Sequence, residues 1–269
     1  MTLSLLDARR VPLERSFNFR DLGGYATAYG QTVRTGRLYR ADGLHALTPA
    51  DLTTLRGLGL RSVIDLRTDG ELESRGFFPL AAMSVEFHRC PVLTELWEPT
   101  AFGDGDDLAA AMADRYLEMT EVGGRALARA IALLSGDAPL PAVFHCAAGK
   151  DRTGVLGALV LRLLGVADSD IVIDYALTDG AMDAMKAWVV ANDPETAAMM
   201  LQMPAHFLQS PARTMRLFLE RFDARHGSVE AFLAGQGVSA ATIERFRAEM
   251  LTGMLTGMLT DDRVAQRAS

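Results

Sequence analysis

Two kinds of hydrophobic pattern alternate along the first two thirds of the chain. Short apolar runs bounded by turn residues are typical of buried strands, and they occur at residues 60–66, 85–91 and 141–145. Segments whose apolar residues recur every three to four positions are typical of helices, and they occur at residues 48–58, 109–134 and 152–164. This alternation predicts an α/β fold with a mostly parallel central sheet flanked by helices.

The ends of the predicted helices carry residues that helix ends prefer. Thr48 is suited to cap the first helix, with Pro49 at its first position. Gly123-Gly124 divides the second segment into two helices, and Gly165 closes the third. These signals set the element boundaries independently of the hydrophobic pattern.

The last third of the chain is helical throughout. Helices are predicted there over residues 212–225, 228–233 and 240–251, after a methionine-rich helical segment at 179–208. Three Met-Leu-Thr repeats within residues 250–260 indicate a frayed helix end or a tail, and residues 261–269 read as a disordered tail. Because no change in composition marks a linker, we expect a single domain over residues 1–260 with a helical C-terminal half.

Composition narrows the classes of protein to consider. The 269 residues are 49% hydrophobic and 23% charged, as in ordinary globular domains. The net charge of −7 argues against nucleic acid as a partner, so an anionic ligand needs a local group of basic residues. No apolar run reaches the roughly 20 residues of a membrane span, and charges come too early for a secretory signal. We expect a cytoplasmic protein without stable membrane insertion, with leaderless secretion left open.

The segment that carries chemistry is VFHCAAGKDRTG, residues 143–154. A buried strand leads into Cys146, a loop of small residues follows, and a helix starts near Arg152. The N–H groups of such a loop and of a helix N-terminus converge on one point, where they bind an anion. The same field favours the thiolate form of the cysteine. The Arg152 guanidinium is able to hold two oxygens of the bound anion at once.

A nucleophilic sulfur that faces a bound phosphate predicts phosphoryl transfer through a cysteinyl-phosphate. A lone cysteine is more often an inert buried side chain, but the small-residue loop between a strand and a helix makes the match specific. Other sites fail on spacing. No glycine lies five positions before Gly149 as a nucleotide-binding loop requires, the histidines lack metal-ligand spacing, and no Cys-x-x-Cys pair occurs. We therefore predict no metal and no other cofactor.

The stretch HCAAGKDRTG resembles the active-site signature of cysteine-dependent protein-tyrosine phosphatases. More narrowly, the chain is similar to a bacterial tyrosine phosphatase family in its motifs NFRDLGG at 18–24, GRLYR at 36–40, IDLR at 64–67 and DYALT at 174–178. The resemblance runs from about residue 12 to about residue 251. It implies the protein-tyrosine-phosphatase fold and the hydrolysis of phosphomonoesters.

The resemblance also implies roles for individual residues. Cys146 would be the nucleophile, Arg152 the ligand of the phosphate and of the transition state, and Thr153 a hydroxyl that eases breakdown of the intermediate. His145 would orient the loop and help to hold the thiolate, although a purely structural histidine fits equally well. The loop residues expected around the phosphate are Ala147, Ala148, Gly149 and Lys150.

The general acid has two candidate positions. The narrower family uses the aspartate inside the signature, here Asp151, which needs no loop closure. Many other relatives place the acid on a separate mobile loop, for which the candidates are Asp104, Asp106 and Asp107. We favour Asp151, because the Gly- and Asp-rich loop reads more simply as a solvated turn.

Several further assignments remain open at this point. Arg20, Asp65 and Arg67 are expected near the phosphate, and the alternative is an ion-pair network that supports the loop, which we prefer for Asp65 and Asp21. Cys90 could resolve an oxidised Cys146, but buried packing is the simpler interpretation. The segment 179–208 aligns with a region that forms a helical lid in a mycobacterial member of the family, and plain core helices are the alternative.

The sequence thus predicts a protein-tyrosine phosphatase, with phosphoserine, phosphothreonine or phosphoinositide as further substrate classes. Lys150 is the residue that we associate with this broad range of substrates. The competing function is a catalytically silent module that binds phosphorylated ligands. Such a module usually lacks the cysteine, the arginine or the acid, whereas this chain keeps all three. The expected partners are a phosphorylated protein or a phosphoinositide, and the oligomeric state is not predicted.

Overall fold

The computed structural model describes residues 9–97, 107–202 and 208–252. Within these ranges one sheet contains the strands β1 (Arg20–Asp21), β2 (Leu38–Ala41), β3 (Ser62–Asp65), β4 (Glu86–Arg89) and β5 (Ala142–His145). Their order across the sheet is β1-β2-β5-β3-β4. β1 pairs antiparallel with β2, and the other three pairings are parallel. The predicted mostly parallel sheet is confirmed.

The alternation of side chains along the strands divides the core into two layers. Val63 and Val143 are partners in the register and pack in one layer, whereas Ile64 and Phe144 are partners that pack in the other. Helix α1 (Pro49–Gly57) covers the first layer with its buried leucines. The second layer is larger and includes residues from most of the later helices.

The remaining α-helices in the described ranges are α2 (Asp69–Arg75), α3 (Leu108–Val122), α4 (Gly124–Ala132), α5 (Asp151–Leu163), α6 (Asp168–Ala176), α7 (Thr178–Asn192), α8 (Pro194–Gln202), α9 (Ala212–His226), α10 (Val229–Gly235) and α11 (Ala240–Met250). α9 packs against both α3 and α6. α5 is buried along nearly its whole length, because it runs through the second layer of the core.

Most of these helices were predicted, but α2 and α6 were not. α2 has one leucine in seven residues, so it lacks a hydrophobic period. Its signal is the capping box of Thr68 and Glu71, in which each side chain accepts the other residue's backbone N–H. α6 overlaps the motif DYALT, and its buried residues Ile171, Val172 and Tyr175 have helical spacing.

The methionine-rich segment forms α7 and α8, which meet at Asp193. The Asp193 carboxylate accepts the backbone N–H of Thr196 at 3.0 Å and so caps α8. Whether this segment is a lid stays a prediction. The Met-Leu-Thr repeats beyond Thr252 and the tail at 261–269 lie outside the described residues. No helix in the described ranges is both long and apolar enough to cross a membrane.

The break between α3 and α4 offers a test of the fold. Gly123 lies at this break and packs directly against the backbone of Val92. A Cβ atom at Gly123 would overlap the carbonyl oxygen of Val92. We expect Gly123→Ala to destabilise the protein by about 1–3 kcal/mol through overpacking, measured by denaturant unfolding. Gly57→Ala is the matched control, since a Cβ there meets no atom within 4 Å. An equally stable Gly123→Ala protein would contradict this account of the break.

Candidate active site

The parallel strands end at one edge of the sheet, which gathers the residues that follow them. β2 is followed by Asp42, β3 ends at Asp65, and β5 ends at His145. Cys146 comes directly after β5 and is 2% exposed. The loop 146–150 then connects β5 to α5. The predicted strand–cysteine–loop–helix unit is therefore present, with the cysteine at its base.

Hydrogen bonds fix the carbonyl groups of this loop on one side. The Gly43 N–H donates to the Ala147 carbonyl oxygen at 2.9 Å. The Asn18 side-chain amide donates to the carbonyl oxygens of Ala148 at 3.2 Å and Gly149 at 3.0 Å. In a trans peptide the N–H points opposite to the preceding C=O. The N–H groups of residues 148–150 therefore point the other way, which is the arrangement that an anion-binding cradle requires.

Gly149 is required by this geometry. Its φ angle is +65°, and a Cβ atom there would lie 2.6 Å from the Ala41 carbonyl oxygen. Its own carbonyl oxygen accepts a second hydrogen bond, from Arg40 Nη2 at 2.8 Å. The loop thus approaches β2 as closely as backbone atoms allow, which no other residue type permits.

Asp42 orients the residues that hold the loop. Its carboxylate accepts the backbone N–H groups of Phe17 at 3.0 Å and Asn18 at 3.1 Å, and also the Ser16 hydroxyl. Burial raises the pKa of the Asp42 carboxyl, and these three donors oppose that effect. Asn18 is held in place by Asp42, and it in turn holds the loop.

His145 supports the loop from within the sheet. It is fully buried, and its Nδ1 lies 3.2 Å from the carbonyl oxygen of Cys146, to which the N–H donates. Burial lowers the pKa of His145 more than the nearby Asp65 carboxylate raises it, so the ring is neutral at neutral pH. The contact with the Cys146 carbonyl oxygen supports the predicted orienting role of His145. The lowered pKa argues against a positive charge on the ring at neutral pH.

Arg152 is held by a residue that the sequence analysis missed. Its Nη1 and Nη2 donate to the two carboxylate oxygens of Glu71, at 2.5 Å and 2.8 Å. Both side chains are about nine-tenths buried or more. Burial raises the pKa of Glu71, but the Arg152 guanidinium and the Thr68 hydrogen bonds outweigh it and hold the pKa below its usual range. Glu71 thereby occupies the terminal face of the guanidinium, and the N–H of Nε lies on its side face.

Asp151, the first residue of α5, lies at the rim of the site with its side chain 29% exposed. Its Oδ1 accepts a hydrogen bond of 2.6 Å from the Tyr116 hydroxyl. Lys150 Nζ lies 3.5 Å from the same oxygen and donates to the Gln209 carbonyl at 3.3 Å. Thr153 is in the same first turn and fully buried, and its hydroxyl has no hydrogen-bond partner in the described ranges.

Arg20 lies behind the loop, in a buried network centred on Asp174. Arg20 Nε and Arg40 Nη1 contact the two Asp174 oxygens at 3.1 Å and 2.6 Å. Arg9 lies 3.9 Å away, and the Tyr25 hydroxyl donates at 3.0 Å. Burial raises the pKa of Asp174, but the arginines hold it far below its usual range. Residues of the motifs NFRDLGG, GRLYR and DYALT therefore contact one another around Asp174.

The other predicted residues also lie in buried or half-buried contacts. Arg67 pairs with Asp65 at 2.6 Å, and both side chains are inaccessible to solvent. Asp21 accepts the backbone N–H groups of Gly23 and Gly36 at 2.7 Å and 2.5 Å. These contacts match the supporting network that was the alternative to direct phosphate binding. Cys90 is buried, and burial raises the pKa of its thiol to about 11.

Of the acid candidates on the separate loop, Asp107 lies in the described residues and Asp104 and Asp106 lie outside them. Asp107 caps α3 by accepting the Ala110 N–H and forms a two-point ion pair with Arg213. Within the described ranges no group of three or more His, Cys, Asp or Glu is placed to hold a metal ion.

A cysteine at the start of a small-residue loop that leads to a clamped arginine is the arrangement that a cysteine-dependent phosphatase requires. The chain matches the tyrosine phosphatase family over residues 11–252, and it belongs to that family. It is 30% identical to the triple specificity protein phosphatase PtpB of Mycobacterium tuberculosis, over 89% of this chain and 98% of that one. It is 28% identical to a tyrosine-protein phosphatase of Nostoc commune, over 52% and 47% of the two chains.

Among solved structures, the catalytic core of Siw14 aligns with 81% of this chain and 94% of its own, at 13% identity and a TM-score of 0.37. The family membership confirms the predicted activity class. The protein is a protein-tyrosine phosphatase, and its substrates are phosphorylated molecules.

Glu71→Gln tests the clamp on Arg152. A neutral amide accepts one of the two hydrogen bonds and turns an N–H toward the guanidinium, so Arg152 loses its fixed orientation. We expect kcat/KM to fall about 10- to 100-fold, equally for aryl phosphates with good and poor leaving groups. The matched control is Glu73→Gln, an exposed position on the same helix. Unchanged kcat/KM in the Glu71 variant would exclude a role for the clamp.

Stability provides a second readout for Glu71→Gln. The folded-state pKa of Glu71 lies below the ordinary value of 4.5, so the clamp contributes fully above that pH. Its contribution is lost as the pH falls through the lower, folded-state pKa. The variant should be less stable by about 3 kcal/mol at neutral pH, and the deficit should shrink on acidification.

Proposed function

We propose that the protein hydrolyses phosphomonoesters through a cysteinyl-phosphate on Cys146, with Asp151 as the general acid. The observation that carries this proposal is the strand–loop–helix unit itself, in which Cys146 starts the loop, the N–H groups of residues 148–150 share one side, and Arg152 is clamped by Glu71. The Cys146 thiolate attacks phosphorus, and the ester oxygen leaves with the proton of Asp151. A water molecule then attacks the phosphocysteine while Asp151 takes up its proton. Inorganic phosphate and the free thiolate are the products.

The loop and Arg152 stabilise the transferring group in both steps. The N–H groups of residues 148–150 and the side face of Arg152 are fixed before the substrate arrives, so little reorganisation is needed in the transition state. We assign to Thr153 the role of assisting departure of the thiolate, since its buried hydroxyl has no hydrogen-bond partner in the described ranges. Arg20, Asp65 and Arg67 act on the phosphate indirectly, by holding this loop in shape.

Asp151 is favoured as the acid because its side chain is partly exposed and it is adjacent to Arg152. Asp107 is engaged twice, as a helix cap and as the partner of Arg213. A carboxylate in a two-point ion pair holds a proton poorly. This observation favours the signature aspartate over the one loop aspartate within the described residues.

Phosphotyrosine is the proposed main substrate, with phosphoserine, phosphothreonine and phosphoinositides as further classes. The support comes from Lys150, a buried cation at the end of the loop, and from the triple specificity in the name of PtpB. The competing silent binding module is disfavoured because Cys146, Arg152 and Asp151 are all retained. A cytoplasmic location remains a prediction.

Cys146→Ser tests the nucleophile. Because an alcohol at this position is not ionised, turnover should fall below detection, whereas inorganic phosphate should still bind with similar affinity by calorimetry. Wild-type activity should survive EDTA and be lost to iodoacetate. Cys90→Ser is the matched control and should retain activity. Substantial turnover by Cys146→Ser, or a requirement for added divalent metal, would refute the cysteinyl-phosphate mechanism.

Asp151→Asn tests the acid. A general acid contributes about 10²–10⁴-fold and matters most for a poor leaving group. We expect kcat/KM on phenyl phosphate to fall by at least about 100-fold, with a much smaller loss on 4-nitrophenyl phosphate and a flattened alkaline limb of the pH profile. Asp107→Asn is the control and should cost little on either substrate. The reverse pattern would move the acid to the separate loop.

A further inference from the structure

We propose that Tyr116 and Tyr175 form a two-hydroxyl relay that positions Asp151, so that its acidic proton is carried on Oδ2 and directed at the leaving group. This inference rests on the proposed function, because it gives the assigned acid its orientation. Neither tyrosine belongs to the signature loop. Tyr116 lies on α3 and Tyr175 on α6, so two separate helices bring the relay to the start of α5.

The direction of the relay follows from counting hydrogens. The Tyr116 hydroxyl lies 2.6 Å from Asp151 Oδ1 and 2.8 Å from the Tyr175 hydroxyl. A phenol has one hydrogen to donate. Since an ionised carboxylate accepts hydrogen bonds and cannot donate them, Tyr116 donates to Asp151, and Tyr175 must donate to Tyr116.

The relay distinguishes the two oxygens of the acid. Tyr116 donates to Oδ1, and Lys150 Nζ approaches the same oxygen at 3.5 Å. When Asp151 is protonated, an oxygen that already accepts from Tyr116 is the poorer place for the proton. The proton is therefore carried by Oδ2, and the carboxyl does not need to rotate before transferring it.

Both phenols remain donors over the working pH range. Burial raises the pKa of Tyr116 well above its ordinary value, and the adjacent Asp151 and Tyr175 raise it further. Burial likewise raises the pKa of Tyr175, and Asp151 adds to that effect. The charged groups that act on this cluster from the elements around it are Lys150, Arg152, Arg40 and Asp179.

Packing fixes the two rings. Tyr116 stacks on Trp97 with ring centres 6.4 Å apart and meets Phe218 edge-on at 6.0 Å. Tyr175 meets Tyr116 edge-on at 6.1 Å. It also lies against Gly154, where a Cβ atom would come within 3.1 Å of the ring. The hydroxyls therefore hold their positions when the carboxyl loses or regains its proton.

The test is Tyr116→Phe, which removes one hydroxyl and keeps the ring. A hydrogen bond to an ionised group of this kind corresponds to about a 10-fold effect or more. We expect kcat/KM on phenyl phosphate to fall about 10-fold, with little change on 4-nitrophenyl phosphate. The alkaline limb of the profile should move to higher pH, because the carboxylate loses a donor that stabilises its ionised form. Tyr175→Phe should act in the same direction but more weakly.

Two controls separate positioning from loss of structure. Tyr39→Phe removes another buried phenol hydroxyl, away from the site, and should change neither the leaving-group dependence nor the pH profile. Inhibition by inorganic phosphate should be unchanged in the Tyr116 variant, which shows that the loop is intact. In an Asp151→Asn background, Tyr116→Phe should cost nothing further on phenyl phosphate.

The outcomes distinguish the relay of Tyr116 and Tyr175 from the assignment of Asp151 as the acid, on which the relay rests. If Asp151→Asn shows the leaving-group-dependent loss and Tyr116→Phe does not, the relay is wrong and the acid assignment stands. The relay is also wrong if Tyr116→Phe slows both substrates equally, or costs as much in the Asp151→Asn background. If Asp151→Asn itself lacks the leaving-group dependence, the acid assignment fails and the relay fails with it.

Discussion

The hydrogen bond from Arg40 to the Gly149 carbonyl oxygen holds the loop 146–150 against β2. The same guanidinium is bound to Asp174, at 2.6 Å, so one side chain of β2 connects the loop to α6. Burial and the neighbouring Arg20 lower the pKa of Arg40 to about 10, and Asp174 opposes that effect. Arg40 is still charged at neutral pH. Loss of one partner from a buried pair of this kind costs about 3–5 kcal/mol.

The charges of the network around Asp174 act on the site in front of it. Arg9, Arg20 and Arg40 surround a single buried carboxylate, Asp174, so the cluster carries an excess of positive charge. Charges in a weakly polarisable interior act over longer distances than charges in water. The excess lies behind a loop whose N–H groups face forward. Both features favour the binding of an anion on the front side, in a chain whose net charge is negative.

The sequence was sufficient for the parts of the site that are contiguous. The strand, Cys146, the small-residue loop and the helix start lie within twelve residues, and local rules predict each of them. The family motifs predicted that distant segments would meet, but they did not give the contacts. Glu71 is 81 positions from Arg152, and Tyr116 is 35 positions from Asp151. Such pairs follow from helix packing, which periodicity alone does not specify.

The placement of the proposed acid, Asp151, follows from the same local geometry. Asp151 and Arg152 are consecutive residues in the first turn of a helix that is buried along nearly all of its length. The proposed proton donor and the proposed anion ligand are therefore fixed relative to each other by the helix backbone. An acid on a separate loop has to be brought into place at each turnover, and the cost of ordering that loop is then part of the barrier. Here the ordering is provided on folding, by Glu71 on one side of the turn and by Tyr116 on the other.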